Sequence, residues 1–545
     1  MGASRIVRHV GSAHSQAELG ILLARAGELL EPSGQDALDL GVEASPPVAA
    51  LLAEPAGRLV QPLLFPTAGG SGGAGPVRAG GARVVATDTR VLFEVLAGVY
   101  SFLGFDAVGD EVFRDLVVAR IVEPTSLLDA GRVLTDLGRA PASYATMRRT
   151  LARAVAIPAD SADPADPADR GEGSGARAGS YRDQIAALCF AHAVAGGDVS
   201  LVLFDVTTLY FEADKEDDLR KVGFSKERRV DPQVVVGLLV DRGGFPLQVG
   251  CFDGAHAETR TIVPIVKAFA QRHQIADMVV VADAGMLSGA NLTALDAEQV
   301  RFIVGSKTSK APLDLASHFR WHGDAFTDGQ IIDTITAHTA DHPQNDPAVR
   351  AEPVWDRGEH DVSWRAVWAY SARRAARDGR TLTAQENRAR AVIAGEKSAR
   401  TPRFVKTADG TTVLDEAGLA RARKLVGLKG YVTNIPAALM PAAEVISSYH
   451  DLWHVEASFR MSKTDLRARP MFVRTNDAIE AHLTIVFTAL AVAREAQNRT
   501  GLSIRNLVRQ LRTLRSATIS INGAVQTIQP AISPGQQALL DALKP

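Results

Sequence analysis

The chain has 545 residues, 46% hydrophobic and 22% charged, with a formal net charge of −2. That length exceeds what one hydrophobic core serves, so about two to four domains are expected. The near-neutral balance excludes a protein that is basic throughout, and only two cysteines, Cys189 and Cys251, exclude a cysteine-rich zinc site or a disulfide framework.

Arg5 and Arg8 are not followed by an apolar core, so no signal peptide is expected. The longest apolar stretch, Leu483 to Ala493, is about half of what a membrane span needs. A soluble protein of a reducing cytoplasm, with no membrane partner, is the expectation. Gln16 to Leu30 reads as an amphipathic helix, and the glycine-rich Gly69 to Gly81 as a flexible link. That link lacks the Gly-Lys-Ser/Thr ending of a phosphate loop. Thr89 to Ala156 is helical in pattern, broken over Asp136 to Pro141 with Gly138 as a stop. The helix after the break carries Arg148, Arg149 and Arg153. This fits a helix-turn-helix entering a major groove, or a helical bundle with a solvated basic face. Pro158 to Ser180, with Ala-Asp-Pro repeats followed by Gly and Ser, buries too little apolar surface to order and marks a boundary.

Beyond it the rhythm changes. Strands are predicted at Ser200–Thr207, Val234–Asp241, Pro246–Phe252, Met278–Ala282 and Arg301–Gly305, with helices at Thr259–Gln274 and Asn291–Gln299. This is an α/β layer order. From Lys307 to Ile435 the order is lost. Trp321, Trp355, Trp364 and Trp368 lie in or beside strand-like pieces, an arginine-rich helical run covers Ser371 to Ala399, and a strand returns over Leu425–Asn434. Helices are predicted at Pro441–Leu466 and Asp477–Asn498, then a hairpin about Asn522-Gly523.

Three acids stand out. Asp205 lies inside the apolar run Leu201–Val206, Asp283 ends the run Met278–Asp283, and Glu456 lies on a helix beside aromatic residues. A carboxylate in apolar surroundings is costly unless paired or bound to a metal. Tyr449, Leu452, Trp453, Glu456, Phe459, Arg460 and Lys463 recur at three- and four-residue steps, which predicts one helix face that is apolar, then acidic, then basic. A plain Glu456–Arg460 ion pair is the structural alternative to a metal site flanked by phosphate-binding cations. Trp453 is expected in the core. Glu258 is expected to favour the positive end of the following helix, with assistance to the site as the other reading. Lys307 ends a strand near the expected site, within reach of a phosphate. His454 and Glu456 form a His-x-Glu triplet, but no Cys-x-x-Cys accompanies it, which excludes a zinc deaminase. From Glu456 to Arg515 there are 11 Arg and Lys against 5 Asp and Glu, a local basic excess suited to a phosphate backbone.

Phe204-Asp-Val-Thr-Thr208, Val281-Ala-Asp-Ala-Gly285 and the run Tyr449 to Lys463 resemble the three blocks of bacterial insertion-sequence transposases of the Asp-Asp-Glu class, IS-four-like group. The resemblance covers roughly residues 85 to 500 and is most specific in the last block, with Tyr449 seven residues before Glu456 and Lys463 seven after. Leu452 departs from it, since the group often has Arg there; Arg460 is the substitute contact. The resemblance implies an α/β fold with a ribonuclease-H-like catalytic core interrupted by a β-rich insertion subdomain. The implied order is an N-terminal helical end-binding region (1–157), linker (158–180), core (181–307), insertion (308–435), core (436–515) and tail (516–545). It implies that Asp205, Asp283 and Glu456 are catalytic and bind two Mg2+ ions, replaceable by Mn2+. Tyr449, Arg460, Lys463, Arg467, Lys307, Arg148 and Arg149 would contact double-stranded DNA, both transposon ends and target. It further implies a homodimer or higher multimer on DNA and a bacterial, nucleoid-associated cytoplasmic location. A nuclease that does not rejoin strands and an inactive DNA-binding remnant are the alternatives.

Overall fold

The computed structural model describes residues 83–544 apart from 157–178, 198, 213–214, 225–229, 276, 287, 340–344, 398–402, 409–410 and 522–523. The expected helix at Gln16–Leu30, the link at Gly69–Gly81 and nearly all of the Pro158–Ser180 linker lie outside the described residues.

In chain order, β1 (Arg83–Asp88) precedes helices α1 (Arg90–Phe102), α2 (Glu111–Val122), α3 (Ala130–Asp136) and α4 (Tyr144–Val155). Helix α5 (Tyr181–Gly196) leads into β2 (Leu201–Tyr210), β3 (Gln233–Asp241) and β4 (Pro246–Asp253), then α6 (Ile262–His273), β5 (Val279–Ala282), α7 (Gly289–Ala297) and β6 (Arg301–Ser306). There follow α8 (Ala311–Asp314), α9 (Ala316–Trp321), β7 (Ile331–Ala337), β8 (Ser363–Tyr370), α10 (Ala372–Ile393), β9 (Val405–Ala408), β10 (Thr411–Leu414), α11 (Glu416–Lys424) and β11 (Leu428–Thr433). The chain closes with α12 (Ala442–His450), α13 (Trp453–Thr464), α14 (Asn476–Thr500), α15 (Ile504–Leu511), β12 (Ser516–Ile521), β13 (Ala524–Ile528) and α16 (Pro534–Leu543).

Eight strands form one mixed sheet in the order β4-β3-β2-β5-β6-β11-β8-β7. Strands β2, β5 and β6 are parallel and the other pairings antiparallel. The central strands are covered on both faces, which is why they read as continuous apolar runs rather than alternating ones. On one face α6 packs through Ile265. Gly237 and Gly250 face each other across β3 and β4, and a Cβ on either would stand 2.5 or 2.6 Å from the Ile265 Cδ1. The paired glycines are the socket for that side chain. Helix α5 runs along the edge strand β4, with Arg182 ion-paired to Glu480 of α14 and Asp183 to Arg272 of α6 at 2.6 Å.

Helix α14 is buried on nearly every side. It is long and apolar enough to cross a membrane by length and composition, yet it is mostly enclosed by protein: α1, α2, α4 and α5 pack around it. A helix apolar all round is a core helix in such a setting. The N-terminal helices therefore share one hydrophobic core with the sheet.

Three features differ from the expectations. Strands β7, β8 and β11, expected in a subdomain of their own, extend the main sheet instead. Among the described residues two small cores stand apart from the main one: Ala311, Leu315, Ile332, Ala366, Trp368 and Leu428 around α8 and the β7–β8–β11 end of the sheet, and Leu382, Ala389, Phe404 and Leu419 in a lobe of α10, β9, β10 and α11. Of the four tryptophans, Trp364 and Trp368 lie on β8, Trp355 is buried in a loop, and Trp321 is exposed at the end of α9. The helix expected at Pro441–Leu466 is two helices, α12 and α13, turning at Asp451-Leu452. The Arg242 guanidinium holds the Asp451 carboxylate at 2.8 Å at that turn.

Candidate active site

Strand register does most of the assembly. Phe204 pairs with Ala282 across the parallel β2–β5 ladder, so the next residues, Asp205 and Asp283, are neighbours at the carboxyl end of β5. Ala282 pairs with Val304 and Gly305 with Tyr431, so the same row continues through Gly305 to Tyr431. Residues in one row of adjacent strands present side chains to one face. Asp205 is half-buried and Asp283 exposed.

Helix α12 lies over β5, β6 and β11 and brings Tyr449 to this row. The Tyr449 hydroxyl donates to Asp283 Oδ1 at 2.7 Å. Gly305 makes room, for a Cβ there would stand 2.6 Å from that hydroxyl oxygen. Burial first, and then the Asp283 charge, raise the Tyr449 pKa above its ordinary value. Lys429 of β11 donates to the same hydroxyl at 3.5 Å and lies 5.0 Å from the Tyr449 ring centroid. Burial lowers the Lys429 pKa, Asp283 opposes this, and Arg374 reinforces it.

Helix α13 packs on β2 and β3, above the Asp205 strand. It is anchored to the β3–β4 turn. Ser458 Oγ donates to the Gly244 carbonyl at 2.8 Å, and Arg494 of α14 donates to the carbonyls of Gly243 and Gly244 at 2.7 and 3.1 Å. Val455, Ser458, Phe459 and Ser462 face inward, whereas Trp453, Glu456 and Arg460 are exposed. The single face expected from Tyr449 to Lys463 is therefore split between buried and exposed residues. Trp453, expected in the core, is 58% exposed. No Glu456–Arg460 ion pair forms among the described residues. Lys463 lines a small cavity with Thr207, Leu209 and Phe459, beside the Asp205 strand.

Of the remaining candidates, Lys307 is exposed immediately after β6. Arg467 is exposed and lines a basic cleft of about 880 Å³ with Arg505, Arg509, Arg512 and Arg515. Arg148 and Arg149 are exposed on α4, and Arg153 is ion-paired to Asp110 at 2.6 Å. Glu258 does not sit in the first turn of α6. It opens a separate short turn, Glu258–Arg260, and a Cβ on Gly285 would lie 3.9 Å from its Oε2, which places it against the Ala284–Met286 turn next to Asp283.

The donor set is all oxygen, which suits a hard divalent cation. Two of its three carboxylates are strand neighbours. Among the described residues no group of three or more His, Cys, Asp or Glu is placed so as to hold a metal ion.

Residues 197–492, more than half of the chain, match the transposase DDE domain. This chain belongs to that transposase family. No curated protein matches it. Among solved structures it is similar to a piggyBac transposase seen by cryo-EM in a synaptic complex with hairpin DNA, at 9% identity and a TM-score of 0.36, over 78% of this chain and 79% of that one. So loose a likeness decides nothing further.

In this DDE-family chain the sequence left Lys429 unremarked. It lies in a strand whose partner, β6, is over a hundred residues earlier, so its approach to Tyr449 and Asp283 follows only from the long-range register. Cys189 and Cys251 are free and buried, and burial raises both thiol pKa values, that of Cys251 to about 12, so neither is a nucleophile.

Proposed function

We propose that the chain is an active transposase that binds the ends of a mobile DNA element, cuts them in a Mg2+-dependent reaction and joins them to target DNA. The observation that carries this reading is the adjacency of Asp205 and Asp283 in register, with Tyr449 hydrogen-bonded to Asp283, inside the family-matched region. The order β4-β3-β2-β5-β6, with β3 antiparallel between β4 and β2, supports a ribonuclease-H-like core.

Asp205, Asp283 and Glu456 would hold the divalent ions, Mg2+ or Mn2+. Bound there, such ions activate an attacking oxygen and stabilise the leaving one in an in-line displacement. Tyr449 orients Asp283, as outer hydrogen-bond partners orient metal ligands. Arg460, Lys463, Arg467 and Lys307 would take backbone phosphates, and Arg148 and Arg149 would meet the element end. The chemistry is phosphodiester hydrolysis at the element end, followed by transesterification in which the freed 3′-hydroxyl attacks the target. Two ends must be held together, so the working form is a dimer or larger.

The test is DNA cleavage with Mg2+ by the full chain and by Asp205→Ala, Asp283→Ala and Glu456→Ala. Each variant should lose cleavage and joining of a pre-cut end while DNA affinity stays near the parent value. Undiminished cutting by any one of them removes that residue from the site.

A further inference from the structure

The lobe over residues 371–426 carries 13 Arg and Lys against 6 Asp and Glu, in a chain whose net charge is −2. Part of that charge is paired within the lobe. Glu386 accepts from Arg390 at 2.9 Å and Arg423 at 2.6 Å, and Lys406 faces Asp415 at 3.7 Å. A compact part of the excess lies at the start of α10, where four arginines stand against Asp378 alone. There Arg373, Arg374, Arg377 and Arg380 line a cleft of about 630 Å³, together with Lys429 and Tyr431 of β11. Two carboxylates lie on or beside this part of the helix. Asp378 meets Arg377 at 3.4 Å and the Gly427 backbone, and Asp328 caps the Ala372 amide at 2.7 Å. Arg373, Arg374 and Arg380 have no carboxylate partner among the described residues, and Arg374 is half-buried. A half-buried cation without a counter-ion is held at a cost, which an anionic ligand would offset.

The cleft also has a direction. Lys429 lines it and donates to the Tyr449 hydroxyl, which donates to Asp283, so the cationic surface runs without interruption into the carboxylate corner. Arg373, Arg377 and Arg380 recur at four- and three-residue steps along one helix face. Seven residues of helix rise about 10 Å, the axial span of roughly three phosphates on one DNA strand.

We propose that this cleft binds the sugar-phosphate backbone of the DNA strand running away from the Asp283 corner, with Arg373, Arg374, Arg377 and Arg380 as its anion-binding residues. The assignment rests on the transposase reading and adds to it a DNA path over the edge of the sheet carrying β8 and β11. Contacts of this kind carry no sequence information, so a random-sequence duplex with a single-stranded flank is a sufficient probe.

The experiment is fluorescence anisotropy of that probe against the full chain over a salt series, without divalent cation. The triple variant Arg373→Ala/Arg377→Ala/Arg380→Ala should bind more weakly at low salt, and the slope of log affinity against log salt should fall by roughly 2–3. Single Arg380→Ala, at an exposed position, guards against misfolding of the triple and should lower the slope by about 1. Arg388→Ala, on the same helix outside the cleft, should leave affinity unchanged. A parental slope in the triple and single variants, or an equal loss in Arg388→Ala, overturns the assignment. If the carboxylate variants lose cleavage while the arginine variants bind as the parent does, the cleft alone falls. A parent chain with no affinity for the probe overturns both readings.

Discussion

The Tyr449 hydroxyl donates to Asp283 Oδ1 at 2.7 Å, joining a helix of the last sequence block to the strand end of the second. The bond fixes the direction of a carboxylate that is otherwise exposed at the end of β5. Tyr449 keeps its proton through the working pH range, because its pKa is raised by burial and by Asp283. Tyr449→Phe should therefore lower the cleavage rate or the affinity for Mg2+ by about 10–100-fold, the usual effect of losing a second-layer partner of a metal ligand. DNA affinity and melting temperature should change little. A Mg2+ titration of cleavage checks this, and parental half-saturation with a parental rate would remove Tyr449 from the site.

Gly305 tests the same bond from the other side. A Cβ there would meet the Tyr449 oxygen at 2.6 Å and the Ala284 Cβ at 3.2 Å. Gly305→Ala should push Tyr449 off Asp283 and destabilise the fold by about 1–3 kcal/mol, as overpacking does. Its loss of cleavage should match that of Tyr449→Phe, and the double variant should lose less than the sum of the two. Additive losses would mean that Gly305 acts by another route.

How far the sequence spoke for itself depended on where each partner lies. Strands β2 to β6 were legible because burial on both faces leaves apolar runs, and Asp205 and Asp283 were conspicuous as interruptions of those runs. Strand β1 was not: Arg83–Asp88 is almost wholly exposed, and its partner β12 lies over four hundred residues on. The Tyr449 and Glu456 spacing marked the right block but hid the turn at Asp451. Helical periodicity continues through that turn, and the Arg242 contact made there comes from two hundred residues away. The arginines of α10 read only as a charged helical run, since nothing local distinguishes Arg390, paired to Glu386, from Arg373, which has no carboxylate partner among the described residues.

Asp314 is buried in α8, where Trp368 Nε1–H donates to its Oδ2 at 3.1 Å. Burial pushes its pKa up to about 7, against the hydrogen bonds from Thr336 and Trp368. The folded carboxyl keeps its proton longer than the unfolded one. Stability from this group is complete below the unfolded value near 3.8 and is lost as pH rises through about 7. Asp314→Asn cannot ionise and retains an acceptor for Trp368. Thermal melts should show the variant gaining on the parent from pH 4 to pH 8, by at most about 1.4 kcal/mol per pH unit within the window. A constant difference across that range would refute the ionisation argument.

His273 shows the opposite sign. It is the last residue of α6, where the helix dipole favours a protonated imidazole. Its ring stacks on Phe190 at 3.9 Å and lies 4.8 Å from Phe269, and Arg272 adds a like charge. Burial wins over the dipole and lowers the pKa to about 4. The unfolded chain takes up this proton first as the solution is acidified. Its contribution is intact above about 6.5 and declines as pH falls towards 4. His273→Gln removes the titration and keeps a polar end. Urea unfolding at pH 7 and pH 4.5 should show the parent losing more stability than the variant, up to about 1.4 kcal/mol per unit crossed. Equal acid losses in both proteins would show that the buried ring does not control this branch of the profile.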